Sequence, residues 1–94
     1  MITRVVRLTF KPEHTQTFIE IMQQHHMLIR SFKGCYDLNS YQDTKKSNVF
    51  FTISTWQDET ALNDYRHSDF FKVLWGKLKP MFADKALAHS MSVM

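Results

Sequence analysis

Three polar residues that can take part in chemistry, Tyr65, Arg66 and His67, stand in a row in the second half of the chain. They follow Trp56, which ends an apolar stretch. Successive residues of a helix point about 100° apart, so Tyr65 and Arg66 cannot both face one pocket. Tyr65 follows the apolar Leu62 at a spacing of three, so we expect Tyr65 to face inward and Arg66 outward. His67 lies at a join between helices, where either orientation is open.

The five histidines are the natural proton acceptors near neutral pH. His25 and His26 are adjacent on a helix and diverge, and no Cys/His or His/Glu spacing typical of a metal centre occurs, so we predict no metal site. His67 is interpreted either as an exposed linker residue or as a catalytic base. His89 alternates with apolar residues, so we expect it to face an interior, where it would be a structural or a catalytic residue.

Carboxylates and glycines point to no further chemistry. The acidic residues of the second half fall in or near the first turns of predicted helices, where capping and the helix dipole explain them. A glycine-rich phosphate loop is absent because the chain has only Gly34 and Gly76. This argues against a nucleotide cofactor bound in the usual ways.

Four segments have the period-two alternation and β-branched content of strands, at residues 2–10, 35–43, 48–56 and 86–94. The third strand carries bulk on both faces. Val49, Phe51 and Ile53 point one way, and Phe50 and Trp56 point the other. We therefore expect helices to cover one face of the sheet and something else to cover the other.

Three segments read as helices, at residues 13–30, 59–66 and 69–79. Asp58 and Ser68 are expected to cap the two short helices, and Gly34 to form the turn after the long one. In the long helix the apolar face is expected to contain Phe18, Ile21, Met22, His25, Leu28 and Ile29. The order β-α-β-β-α-β, with a broken second helix, predicts an α+β ferredoxin-like fold with an antiparallel sheet, in a single domain over residues 1–94.

Composition limits the class of protein. Aromatic residues make up 14% of the chain, more than one small core needs, so some are expected at an interface or around a ligand. The net charge of +3 comes from scattered residues, and residues 46–53 lack the glycines of an RNA-recognition strand, so we predict no nucleic-acid partner.

The single cysteine, Cys35, excludes an internal disulfide. No apolar run suits a membrane span or a signal peptide, so we expect a cytoplasmic protein without a membrane partner.

The second half of the chain resembles one known family. Trp56 ends a strand, a helix starts at 58, Ser68 and Phe71 open the next helix, and Pro80 ends it. In these features the chain is similar to the antibiotic biosynthesis monooxygenase domain family over nearly its whole length. The resemblance implies small ferredoxin-like subunits that pack sheet against sheet as a homodimer, forming a dimeric α+β barrel. Each subunit would hold a pocket between sheet and helices.

Members of that family differ in activity. Some oxidise quinols or polyketide phenols with O₂ and neither metal nor flavin, some cleave haem, and others are isomerases or lack a known activity. Trp56 matches the pocket tryptophan of polyketide-oxidising members, whereas Thr52 and Leu62 stand in place of their usual Asn and Tyr. Haem-degrading members place a histidine ligand where Trp75 stands, so the resemblance does not imply haem degradation.

The resemblance implies a pocket for a small aromatic ligand, with walls formed by Phe50, Trp56, Tyr65, Phe71 and Trp75. The residues available for proton transfer would be His67, His89, Tyr41, Tyr65 and Thr52. His67 and His89 are preferred, since a tyrosine base would need a pKa far below about 10. Three functions stay open: a cofactor-free monooxygenase, a non-catalytic small-molecule-binding or regulatory protein, and an isomerase.

Overall fold

Strands and helices follow one another in the predicted order. The computed structural model describes residues 1–94, with strands β1 (Ile2–Thr9), β2 (Cys35–Gln42), β3 (Val49–Trp56) and β4 (Leu87–Met91), and helices α1 (Thr15–Arg30), α2 (Glu59–Arg66) and α3 (Asp69–Leu78). Short 3-10 turns precede α1 at Pro12–His14 and follow α3 at Lys79–Met81. The α+β, ferredoxin-like prediction is thus confirmed. No helix is long and apolar enough to cross a bilayer.

The sheet has four antiparallel strands in the order β2-β3-β1-β4. Between the two central strands, Leu8 pairs with Phe50, Val6 with Thr52, and Arg4 with Ser54. Paired residues point to the same face of a sheet. The even-numbered residues of β1 and β3 therefore share one face, and the helices pack on that face.

The core lies between this face and α1. Phe18 of α1 packs against Phe10 and Phe50, with ring centroids 4.3 and 4.7 Å away. Each buried phenylalanine of this kind contributes about 1.5–3 kcal/mol to the hydrophobic stabilisation. Phe50, one of the residues predicted to line a pocket, is thereby used in the core.

Local capping produces the two short helices. An Asp58 side-chain oxygen accepts a hydrogen bond from the Ala61 backbone N–H at 2.9 Å, and Ser68 Oγ accepts one from the Phe71 N–H at 3.1 Å. Both predicted caps are confirmed. Gly34 has φ of 83°, which confirms it as the turn residue after α1.

Two details of the predicted elements are wrong. Leu28 is 54% exposed, because α1 covers the sheet only with the narrow stripe of Phe18, Met22 and Ile29, and Leu28 lies about 100° away from Ile29. The last strand ends at Met91 instead of continuing to the terminus.

The second face of the sheet is not covered by any element of this chain. We call it the open face, and its exposed or partly exposed apolar side chains are Val5, Tyr41, Phe51, Ile53, Leu87 and Met91. His89 pairs with Val5 and so belongs to the same face. The expectation that His89 faces an interior is therefore wrong for the single chain, since nothing in the chain packs on it.

Candidate functional site

A cavity of about 320 Å³ lies between the helix-covered face of the sheet and the helices. Most of its lining is hydrophobic, and its volume is at the lower end of the range for small-molecule sites. Its deep part is formed by buried apolar residues that include Leu8, Phe18 and Leu38. Its mouth lies between the end of α2 and β4, since Arg66 and Ala88 are the exposed residues of the lining.

Four aromatic residues form a continuous wall of the cavity. Trp56, at the end of β3, stacks on Tyr65 with ring centroids 5.1 Å apart and an interplanar angle of 25°. Tyr65 contacts Phe71 edge to face at 5.1 Å, and Phe71 stacks on Trp75 at 5.6 Å. The residues of this wall thus lie at the end of β3 and on the two successive helices α2 and α3. The bend at the Ser68 cap directs both helices toward one cavity.

The indole of Trp56 is held by a hydrogen bond as well as by packing. Its side chain is 1% exposed, and its Nε1–H donates to Ser54 Oγ at 2.9 Å. The Ser54 hydroxyl keeps its own proton for another partner, and Thr52 supplies a second hydroxyl to the lining. The polar groups on this strand can therefore orient a ligand by hydrogen bonds.

Two arginines also line the cavity, and no acidic residue or histidine does. Arg4 comes from β1 and is partly buried, while Arg66 is the last residue of α2. Burial lowers the pKa of Arg4, and the nearby charge of Arg66 lowers it further. The cavity therefore has a positive potential that no carboxylate in its lining offsets.

The phenol of Tyr65 is held in its neutral form. Burial, the largest cause, raises the pKa of Tyr65 well above its ordinary value. The nearby Cys35 thiol raises this pKa further, and the charge of Arg4 lowers it in part. A tyrosine with a raised pKa cannot serve as a base near neutral pH. It can donate a hydrogen bond into the cavity, or accept one.

The structure brings some predicted site residues together and leaves others apart. Those that line the cavity are Thr52, Trp56, Tyr65, Phe71 and Trp75. Those that do not are Tyr41, Phe50, His67 and His89. His67 lies at the exposed end of α2, where its Nδ1–H donates to the Asn63 carbonyl at 2.7 Å. Tyr41 and His89 belong to the open face, on the other side of the sheet.

Sequence reasoning missed Arg4, Ser54 and Arg66. Arg4 stands at an inward-facing position of β1, where a charged residue interrupts the apolar residues on either side, and this interruption was a usable signal. Arg66 was expected to face outward, and it is exposed. It nevertheless lines the rim of the cavity. The spacing rule describes the direction of Cβ and does not account for the reach of a long side chain.

Comparisons with known proteins agree with this architecture. The family model described as antibiotic biosynthesis monooxygenase matches residues 1–74. The crystal structure of an antibiotic biosynthesis monooxygenase superposes with a TM-score of 0.93 at 18% identity, covering 100% of this chain and 99% of that one. A conserved protein from Methanosarcina mazei superposes with a TM-score of 0.88 at 24% identity, covering 97% of this chain and 91% of that one. A Pseudomonas aeruginosa protein superposes with a TM-score of 0.88 at 18% identity, covering 99% of this chain and 93% of that one. No curated protein matches in sequence. At these identities, the structural likeness establishes the fold alone.

Proposed function

The chain belongs to the antibiotic biosynthesis monooxygenase family, and from this premise we propose that it is a cofactor-independent monooxygenase. Its substrate would be a small aromatic compound of the quinol or polyketide-phenol type, and its oxidant O₂. The observation that carries the proposal is the cavity walled by Trp56, Tyr65, Phe71 and Trp75. Aromatic walls of this kind suit a flat, electron-rich ring.

In the proposed chemistry, the substrate itself supplies the electron that reduces O₂. For an anthrone, the substrate loses a C–H proton to solvent, and its anion gives one electron to O₂. The resulting radical and superoxide combine to a peroxide anion, which takes up a proton to give the hydroperoxide. Loss of water then leaves a carbonyl group, so R₂CH₂ + O₂ becomes R₂C=O + H₂O. The protein would bind the ring away from water, stabilise the anion and supply a hydrogen bond to the developing peroxide. The neutral Tyr65 hydroxyl is the donor we assign to that last role.

A second function is favoured by a different observation. The cavity lining contains no carboxylate and no histidine, so it offers no ordinary proton acceptor. This supports a non-catalytic binding or regulatory protein over an isomerase, which would have to move a proton between two substrate atoms. His67 and His89 remain predictions as bases.

We also propose that the open face packs on the open face of a second copy, which gives a dimeric α+β barrel. Exposed apolar residues such as Ile53 and Met91, at 37% and 46%, would then be covered. A cytoplasmic location and a single domain over residues 1–94 belong to the same proposal.

Oxygen consumption tests the activity directly. Chelator-treated protein is assayed with naphthohydroquinones and anthrones, and the rate of autoxidation in buffer is subtracted. We expect uptake that survives chelation and falls in Trp56→Phe and Tyr65→Phe. His67→Ala separates the predictions: a large loss of rate would identify His67 as the base, and an unchanged rate would leave the chemistry to the cavity residues. Saturable quenching of tryptophan fluorescence without oxygen uptake would support the binding protein instead.

A further inference from the structure

The two cavity arginines are not explained by the stability of the fold. Two guanidinium groups near one partly buried site repel each other, and burial of a charge without a partner is unfavourable. The carbonyl end of α2 accounts for a cation at position 66. No such account applies to Arg4, which stands on the inner face of a β-strand between Ile2 and Val6.

The charges lie near the cavity mouth, and the apolar surface lies deeper. Arg66 is exposed at the rim, and Arg4 is partly buried beside the edge strand, where it pairs with Ser54 on one side and Ser90 on the other. Trp56, by contrast, is almost fully buried. A ligand with an aromatic ring at one end and a negative charge at the other would match this polarity.

We propose that Arg4 and Arg66 together bind an oxyanion attached to the aromatic ring of the ligand, either a ring carboxylate or an ionised ring hydroxyl. The inference rests on the proposed function in one respect, since it assigns the substrate class of the same cavity. A guanidinium offers paired N–H donors that match a carboxylate, and a charge-assisted hydrogen bond is stronger than a neutral one. Binding of the anion would also remove the repulsion between the two arginines.

The same arrangement explains how the cavity could work without a base in its lining. Two positive charges lower the pKa of a bound ring hydroxyl, because they favour its ionised form. A substrate carboxylate needs no deprotonation near neutral pH. The proton of a ring hydroxyl can pass to solvent at the cavity mouth, so no histidine or carboxylate of the lining has to accept it. A ring carboxylate is bound by the arginines in the same way, but its charge does not activate the ring.

Calorimetric titration with a matched pair of probes tests the proposal. The probes are 2-naphthoate and its neutral analogue 2-naphthamide, titrated at neutral pH into wild type, Arg4→Gln and Arg66→Gln. Arg7→Gln is the control, because Arg7 is on the same strand with the same charge but is exposed on the other face of the sheet. Thermal melts check that each variant is folded.

We expect wild type to bind 2-naphthoate at least about tenfold more tightly than 2-naphthamide. Arg4→Gln and Arg66→Gln should each remove most of that preference, mainly by weakening the binding of 2-naphthoate, and Arg7→Gln should retain it. Equal binding of the two probes by wild type would overturn the proposal, and so would a preference that survives in both cavity variants.

A third probe separates the two sources of the oxyanion. If bound 2-naphthol shows the absorption band of the naphtholate at neutral pH, the arginines bind an ionised ring hydroxyl. If 2-naphthol stays neutral while 2-naphthoate binds tightly, they bind a ring carboxylate. A preference for 2-naphthoate in a protein that consumes no oxygen would refute the monooxygenase and keep this inference. If the double arginine variant oxidises neutral anthrones at the wild-type rate, and wild type shows no preference for 2-naphthoate, this inference is refuted and the monooxygenase is kept.

Discussion

Replacing Gly34 by alanine is expected to destabilise the protein and to displace one wall of the cavity. Gly34 has φ of +83°, and a Cβ built on it would lie 2.5 Å from the Cβ of Ala61 and 3.6 Å from that of Gln57. Two carbon atoms cannot stay at 2.5 Å, so the turn or α2 has to move. Because α2 carries Tyr65 and Arg66, the movement reaches the cavity.

The expected loss follows from three contributions. The left-handed conformation costs a residue with a Cβ about 1–2 kcal/mol, and overpacking of the contact with Ala61 costs about 1–3 kcal/mol. The lower entropy of the unfolded chain offsets about 0.4–1 kcal/mol of this. A central value of about 3 kcal/mol is a large part of the stability of a small domain, and it corresponds to a decrease in Tm of about 12–24 °C.

Urea and thermal unfolding, followed by circular dichroism, measure the effect against two matched variants. Gly76→Ala makes the same change in α3, where the new Cβ meets nothing within 4 Å, so we expect a gain of up to about 1 kcal/mol. Ala61→Gly combined with Gly34→Ala removes the close approach and keeps the backbone strain. The double variant should therefore be more stable than the sum of the single effects by about 1–3 kcal/mol.

Two results would refute this reasoning. If Gly34→Ala is as stable as wild type, neither the left-handed turn nor the contact with α2 constrains position 34. If the free energies of unfolding of Gly34→Ala and Ala61→Gly add without coupling, the two residues do not approach each other as the structure has them.

Three further predictions concern other parts of the molecule. Ile53→Lys on the open face should convert the proposed dimer to a monomer, seen by light scattering as a fall from near twice 11.2 kDa to 11.2 kDa; a monomeric wild type would refute the dimer. The pKa of Tyr65 is raised by burial, so its contribution to stability is complete below about pH 10 and is lost as the pH rises further. The free energy of unfolding should therefore fall less steeply above about pH 10 in Tyr65→Phe than in wild type, while Tyr36→Phe, at an exposed site, should follow wild type. The thiol of Cys35 is buried and its pKa is raised by burial, so Ellman's reagent should label it much more slowly in the folded than in the unfolded protein, and equal rates would contradict its burial.

Features that depend on near neighbours in the chain were predictable. The bounds of α2 agree with the predicted 59–66, because its cap is a contact between Asp58 and a residue three positions later. The alternation in β3 correctly assigned Phe50 and Trp56 to one face and Ile53 to the other. Most of the aromatic wall was identified in the same way, from Tyr65 and Phe71 at helical positions.

Features that depend on distant segments were not predictable. The place of His89 follows from the pairing of β4 with β1 and from the absence of a covering element in the chain. Phe50 is on the predicted face, but its position along the strand assigns it to the core instead of the cavity.

The amino-acid sequence alone established the order of the elements, their caps and the division of each strand into two faces, because these arise from interactions between residues at most four positions apart. Strand register and the bend between α2 and α3 then select which of the inward-facing residues share a cavity. Arg4 and Arg66 come from opposite parts of the chain, and they line one cavity because β1 is a central strand of the sheet and α2 ends at the cavity rim. The positive charge of the site is therefore a property of the folded chain, since it requires the sheet to pair before the two arginines can act on one ligand.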